Sequence, residues 1–88
     1  MFYASLKEVV GRREVTLNIE KITIKELIGE ISKRFSPLFK KEVLNEEGKI
    51  KSYYKIIVNG RSISFLDGIN TIVRNGDRVV FFPPICGG

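Results

Sequence analysis

The six residues Pro83-Pro84-Ile85-Cys86-Gly87-Gly88, which close the sequence, are where residue type and spacing point to chemistry. They follow a strongly apolar run, Arg78-Val79-Val80-Phe81-Phe82, of the composition that favours strands. Proline has no backbone N–H, so Pro83 and Pro84 leave sheet pairing and take an extended, polyproline-like path. Gly87 and Gly88 lack a Cβ, so the backbone of another protein can approach them from any side. Six extended residues reach about 20 Å at roughly 3.3 Å each. The expectation is a compact body carrying a thin, side-chain-poor arm that ends in a free carboxylate on Gly88. Two glycines alone would read as a frayed end. A β-run, two prolines and two small or apolar residues ahead of them make the arm stiff and specified.

Little else in the chain could carry catalysis. Of its 88 residues one is cysteine and none is histidine, which removes an internal disulfide, His-based triads and the usual zinc sites. No metal site and no bound cofactor are expected. The net charge of +5 comes from 15 basic and 10 acidic side chains spread along the chain. A basic balance can serve nucleic acid, but no strand interleaves aromatic with basic residues, so a solvated surface is the better reading. No apolar run approaches the ~18 residues that span a bilayer, and the N-terminus lacks a signal-peptide pattern. A cytoplasmic protein is expected, with neither membrane nor nucleic acid as partner. The length fits one domain, residues 1–82, followed by the tail, residues 83–88.

The body must position that arm. Residues 1–4 read as a short strand. Ser5-Leu6-Lys7-Glu8 matches a capping box, which predicts a helical turn ending at Gly11. Residues 13–19 alternate, with Val15, Leu17 and Ile19 on one face, a half-buried strand. Thr23-Ile24-Lys25-Glu26 is a second capping box, opening a helix to about Phe35 with Leu27, Ile28, Ile31 and Phe35 as its apolar stripe. Ser36-Pro37 predicts a stop and a new, shorter helix with Leu38, Phe39 and Val43 inward. After the polar loop 45–49, residues 53–58 form a β-run. Asn59-Gly60 is the strongest two-residue hairpin signal, and residues 61–64 return. Residues 65–73 read as irregular, with Ile69, Ile72 and Val73 as inward plugs. Asn75-Gly76-Asp77 turns into a last strand, residues 78–82. Strands before and after one main helix predict an α+β domain with a mixed sheet packed on that helix.

Three stretches carry a family resemblance: Phe2-Tyr3-Ala4-Ser5-Leu6-Lys7-Glu8, Val58-Asn59-Gly60-Arg61, and the terminal run from Asn75-Gly76-Asp77-Arg78 through Phe81-Phe82-Pro83-Pro84 to Gly88. In that order they resemble the small subunit of molybdopterin synthase, the MoaD-like branch of the ubiquitin-like sulfur carriers. The terminal pattern is the specific part, and the Asn-Gly turn alone would be weak. The resemblance implies a β-grasp (ubiquitin-like) fold and a carrier role. An activating enzyme related to the ubiquitin E1 would use ATP to adenylate the Gly88 carboxylate. A sulfur donor would convert it to a thiocarboxylate, and the large synthase subunit, which supplies the catalytic side chains, would move the sulfur to a pyranopterin. Gly87, Cys86, Ile85, Pro84 and Pro83 would thread the partner's channel. Only Met1 precedes Phe2, fewer residues than is usual in the family, and Cys86 stands where a small residue is common; filling that slot is its simplest role.

Two rivals share the Gly-Gly ending. Thiamine-pathway carriers are typically shorter. Archaeal and ubiquitin-related modifiers use the same tail for tRNA thiolation and for attachment to lysines of target proteins. Partner docking is expected on the sheet face near the tail, through whichever of Phe81 and Phe82 faces outward, with Arg61 and Arg78 beside it.

Overall fold

A computed structural model describes residues 4–9, 12–18, 20–35 and 37–83. The chain runs β1 (Ala4–Val9), β2 (Arg12–Leu17), β3 (Lys21–Thr23), α1 (Ile24–Arg34), α2 (Phe39–Val43), β4 (Lys55–Val58), β5 (Arg61–Ser62), β6 (Ile72–Arg74) and β7 (Arg78–Phe82). Single 3-10 turns, Ile63–Phe65 and Gly68–Asn70, lie between β5 and β6. Five strands form a sheet in the order β1-β2-β7-β4-β5, and β3 and β6 make a separate two-stranded pair.

α1 begins where its capping box predicts. Thr23 Oγ1 accepts from the Glu26 N–H at 3.1 Å, and the Glu26 carboxylate accepts from the Thr23 N–H at 3.0 Å. Those bonds hold the exposed Glu26 carboxyl below its ordinary pKa. Ile24, Leu27, Ile28 and Ile31 are fully buried against Val15, Ile56, Val58, Val79 and Phe81 of the sheet. Each such burial is worth about 1.5–3 kcal/mol, so this stripe fixes the helix on the sheet. Ser32, also buried, ties α1 to the next segment: its hydroxyl donates to the Pro37 carbonyl at 3.1 Å. A sheet clasping one main helix is the α+β, β-grasp arrangement the resemblance implied.

Several local expectations give way to longer-range pairing. Ser5-Leu6-Lys7-Glu8 does not cap a helix; it lies inside β1, which pairs with β2 from Ala4↔Leu17 to Val9↔Arg12. One helical turn orders several residues for few hydrogen bonds, whereas a six-residue ladder satisfies the backbone of two strands. The sheet was expected to be mixed, but each of its four ladders is antiparallel. The hairpin explains this. β1 and β2 run in opposite directions, so the strand placed inside decides the direction beside β7, and β2 is inside. β2 ends at Leu17, short of the expected 19, and Ile19 lies outside the described residues.

The second helix starts at Phe39, two residues later than Pro37, with Leu38 as N-cap; Ser36 lies outside the described residues. Phe35 and Leu38 were placed inward and are exposed instead, because the chain has left the α1 helix at Phe35, its C-cap, and the 100° periodicity no longer applies. The return strand β5 is two residues, not four, and Ile63 drops into the core from the 3-10 turn that follows. Val73 is buried as expected and Ile69 half-buried, whereas Ile72 faces outward. β6 is an extended strand paired with β3, so neighbouring side chains must alternate, and Ile72 and Val73 cannot both point in.

Candidate functional site

β7 carries the tail. It sits between β2 and β4, with Arg13↔Phe81 on one side and Lys55↔Phe82 on the other. A strand paired on both edges is the most restrained place from which to launch an arm. Pro83, half-buried, is the last described residue; without an N–H it cannot extend the ladder, so pairing stops at Phe82. Pro84, Ile85, Cys86, Gly87 and Gly88 lie outside the described residues.

The start of β7 is clamped from its neighbour. Asn59 and Gly60 take φ values of +49° and +85°, the left-handed pair that a two-residue hairpin between β4 and β5 requires. From that turn the Asn59 N–H donates to the Arg78 carbonyl at 2.9 Å, and its side-chain Oδ1 accepts from the Arg78 N–H at 3.0 Å. Its Nδ2 donates to Asp77 Oδ1 at 3.1 Å, while Asp77 Oδ2 accepts from the Arg74 N–H at 2.8 Å. Both Asn-Gly turns therefore meet at one end of the sheet, and the tail leaves from the other.

Alternation along β7 assigns its aromatic residues. Phe81 has no exposed surface and belongs to the core, where its ring meets Phe39 edge-on at 5.2 Å between centroids. It is therefore not a docking residue. Phe82 lies on the outer face, half-buried, on the same side as Val80. Val80 is buried yet outside the main core cluster; its lateral neighbours are Glu14 and Ile57. Ile57 and Val80 extend the apolar strip beside Phe82, and sequence reasoning did not single them out. The alternation of β4 around Ile56 could have found Ile57 once the core side was known.

The two arginines expected beside the tail stand elsewhere. Arg78 opens β7, four residues before Phe82, or about 13 Å up the strand. Its guanidinium donates to Glu14 Oε2 at 2.6 Å, and that bond raises its pKa further. Arg61, exposed on the edge strand β5, pairs with Val58 at the end of the sheet that holds the Asn59 clamp. Neither flanks the exit. A different arginine braces the tail strand: Arg13 donates to Glu42 Oε2 at 2.8 Å and lies 5.7 Å above the Phe39 ring centroid, so α2, β2 and Phe81 form one packed unit.

Among the described residues no group of three or more His, Cys, Asp or Glu stands together, and no helix is long and apolar enough to cross a membrane. What the described residues present is a stiff body with an apolar strip at the end of β7.

A helix-clasping sheet whose braced strand leads into Pro-Pro-Ile-Cys-Gly-Gly defines a ubiquitin-like sulfur carrier. Comparison with known families agrees: residues 1–88 match the ThiS family, and the chain belongs to it. Among curated proteins it is similar to small archaeal modifier protein 3 of Haloferax volcanii, 31% identical over 99% of this chain and 94% of that protein. It is also similar to an Archaeoglobus fulgidus protein named "Putative sulfur carrier protein", 30% identical over 90% of this chain and 89% of that one. No solved structure matches it significantly.

Proposed function

We propose that Gly88 is the working end of this carrier: its carboxylate is adenylated by an E1-like activating enzyme, with pyrophosphate leaving from ATP, and sulfide-level sulfur from a donor then displaces AMP to leave a thiocarboxylate. The sulfur goes to a pyranopterin in the active site of a molybdopterin synthase large subunit, which makes this chain the non-catalytic small subunit of that enzyme. One observation carries the reading: the family match runs through Gly88, so the Gly-Gly pair belongs to the matched pattern. The chemistry agrees with the residue types. A carboxylate is a poor electrophile until adenylation supplies a leaving group. Two residues without Cβ pass a channel that excludes side chains, and a tethered sulfur arrives at high effective concentration. Phe82, with Ile57 and Val80, gives the partner an apolar strip beside the exit.

A second reading is favoured by a specific finding. A relative aligned over nearly the whole chain bears the name of a small archaeal modifier. On that reading the same activated Gly88 is joined to lysines of target proteins or passes its sulfur to tRNA.

Incubation with ATP, the activating enzyme and a sulfur donor should make the intact protein about 16 Da heavier, with the change on Gly88. A mass that stays constant while the activating enzyme is competent on another carrier overturns the sulfur-carrying role in both readings and leaves only attachment to lysines. Formation of molybdopterin with a cognate large subunit then supports the first, and Gly-Gly remnants on lysines of other proteins support the second.

A further inference from the structure

We propose that the lysine-lined face formed by α1 and α2 docks an acidic segment of a partner protein, one that brings apolar side chains along with its carboxylates. Lys25, Gly29 and Lys33 fall four residues apart on one side of α1. α2 is held beside them: the Ser32 hydroxyl donates to the Pro37 carbonyl at 3.1 Å, and the Lys40 N–H donates to Ser32 Oγ at 3.4 Å. A groove continues the face, lined by Lys25, Lys40, Lys41 and Lys51. None of these lysine ammonium groups, Lys33 included, has an ion pair or side-chain hydrogen bond among the described residues. The acids of α1 and α2 are already used: Glu26 by the Thr23 cap, Glu30 by Arg34 and Glu42 by Arg13. The groove itself sets Glu46 and Glu47 against its four lysines, which leaves it basic.

Two further features say what the anion is attached to. Where α1 gives way to α2, Phe35 is 49% and Leu38 67% exposed, an apolar corner beside Lys33, Lys40 and Lys41. Between Lys25 and Lys33 stands Gly29, which weakens a helix interior, yet a Cβ there would meet nothing within 4 Å among the described residues. No contact within the chain requires that glycine, and the space it leaves admits another chain's backbone. A protein segment answers all three features: carboxylates for the lysines, apolar side chains for Phe35 and Leu38, and a backbone over Gly29. A phosphate backbone would leave the two apolar side chains in water and would meet Glu46 and Glu47 with its own charge. A bilayer is too flat for the groove, and a second copy of the chain carries +5 and is repelled. α1 covers the face of the sheet that holds Phe81, and Phe82 lies on the other. Docking here therefore leaves the tail exit open and does not depend on what chemistry the tail performs.

Titration of the full chain with a helical peptide of glutamate and leucine, its leucines on one face, tests the proposal through amide chemical shifts at low salt. Shifts are expected in α1, α2 and the groove, and not in β7. Lys25→Glu combined with Lys40→Glu should weaken binding about tenfold with an unchanged circular dichroism spectrum, and so should Leu38→Ser. Gly29→Gln, which alters no charge and suits a helix, should weaken it as well. A glutamine–leucine peptide and a glutamate–serine peptide of the same length should each bind about tenfold more weakly than the first. Any of four results overturns the proposal: no binding of the glutamate–leucine peptide, or shifts centred on Phe82; a glutamate–serine peptide that binds equally well; Gly29→Gln that binds like the wild type; or tighter binding of an oligouridylate or of phosphatidylserine vesicles, which would give the face to RNA or to a membrane. If the double lysine exchange unfolds the chain, Lys25→Gln and Lys40→Gln, made singly, decide in its place. Neither the activating enzyme nor Gly88 loading enters the experiment, so its failure leaves the carrier reading untouched.

Discussion

Tyr54 is the residue whose state is least expected from its neighbours in sequence. Its ring is buried, and its hydroxyl has no hydrogen-bond partner among the described residues. Burial, and secondarily the Glu42 carboxylate, push its pKa up to about 12, with Arg13 opposing. Two outcomes follow from this one hydroxyl. Tyr54→Phe removes an unsatisfied polar atom and keeps the ring, so urea unfolding should show stability unchanged or raised by about 1 kcal/mol. A clear loss would mean that the hydroxyl has a partner. The sign of the pH effect follows from the raised value. The folded protein holds the phenolic proton more tightly than the unfolded chain, so this contribution is complete below pH ~10 and is lost as pH rises from there to about 12. Stability measured across that window should fall less steeply in Tyr54→Phe than in the wild type.

The elements show why a local signal is sometimes sufficient. Ser5–Glu8 and Thr23–Glu26 are the same capping-box pattern, and only the second opens a helix. Behind Thr23 stand Leu27, Ile28 and Ile31 at helical spacing, so packing supports the cap. Behind Ser5 there is no such stripe, and β2 lies within reach to form a ladder. The Asn59-Gly60 turn succeeds for two reasons at once: left-handed backbone at both positions, and a side chain that holds Asp77 and Arg78. Substitution separates them. Asn59→Gly keeps the backbone preference and loses the side-chain clamp, while Asn59→Ala loses both. Asn59→Ala should cost about 1–3 kcal/mol in chemical denaturation, and Asn59→Gly less. Equal costs would place all of the effect in the clamp.

At the scale of the molecule, the fold separates a braced half from a presenting half. The Asn59 clamp and the Arg13–Glu42–Phe39 unit hold β7 from both sides, while Phe82 lies half-buried on the outer face where the chain leaves the sheet. Phe82→Asp should therefore leave the unfolding midpoint close to the wild type, because no core contact is removed. It should weaken binding to the activating enzyme, measured calorimetrically, by tenfold or more. Phe81→Ala is the contrast: it empties a fully buried site and should lower stability by about 3–5 kcal/mol. If Phe82→Asp binds like the wild type, the outer strip is not the contact surface.

What the sequence determined by itself is what short stretches encode within their own few residues. The capped helix α1, both Asn-Gly turns, the final strand and the side-chain-poor Gly-Gly ending are of this kind, because a cap, a left-handed turn or a missing Cβ is complete without distant partners. Tertiary structure alone decided which strand of the first hairpin lies beside β7, and so the antiparallel direction of the sheet. It also decided that Ser5–Glu8 is strand, that β3 pairs with β6, that Phe81 rather than Phe82 enters the core, and that Phe35, Leu38 and Ile72 face outward. Alternation and periodicity supply the spacing of side chains but not the phase. The phase is set only when segments some sixty residues apart, such as Glu14 and Arg78, come to lie side by side.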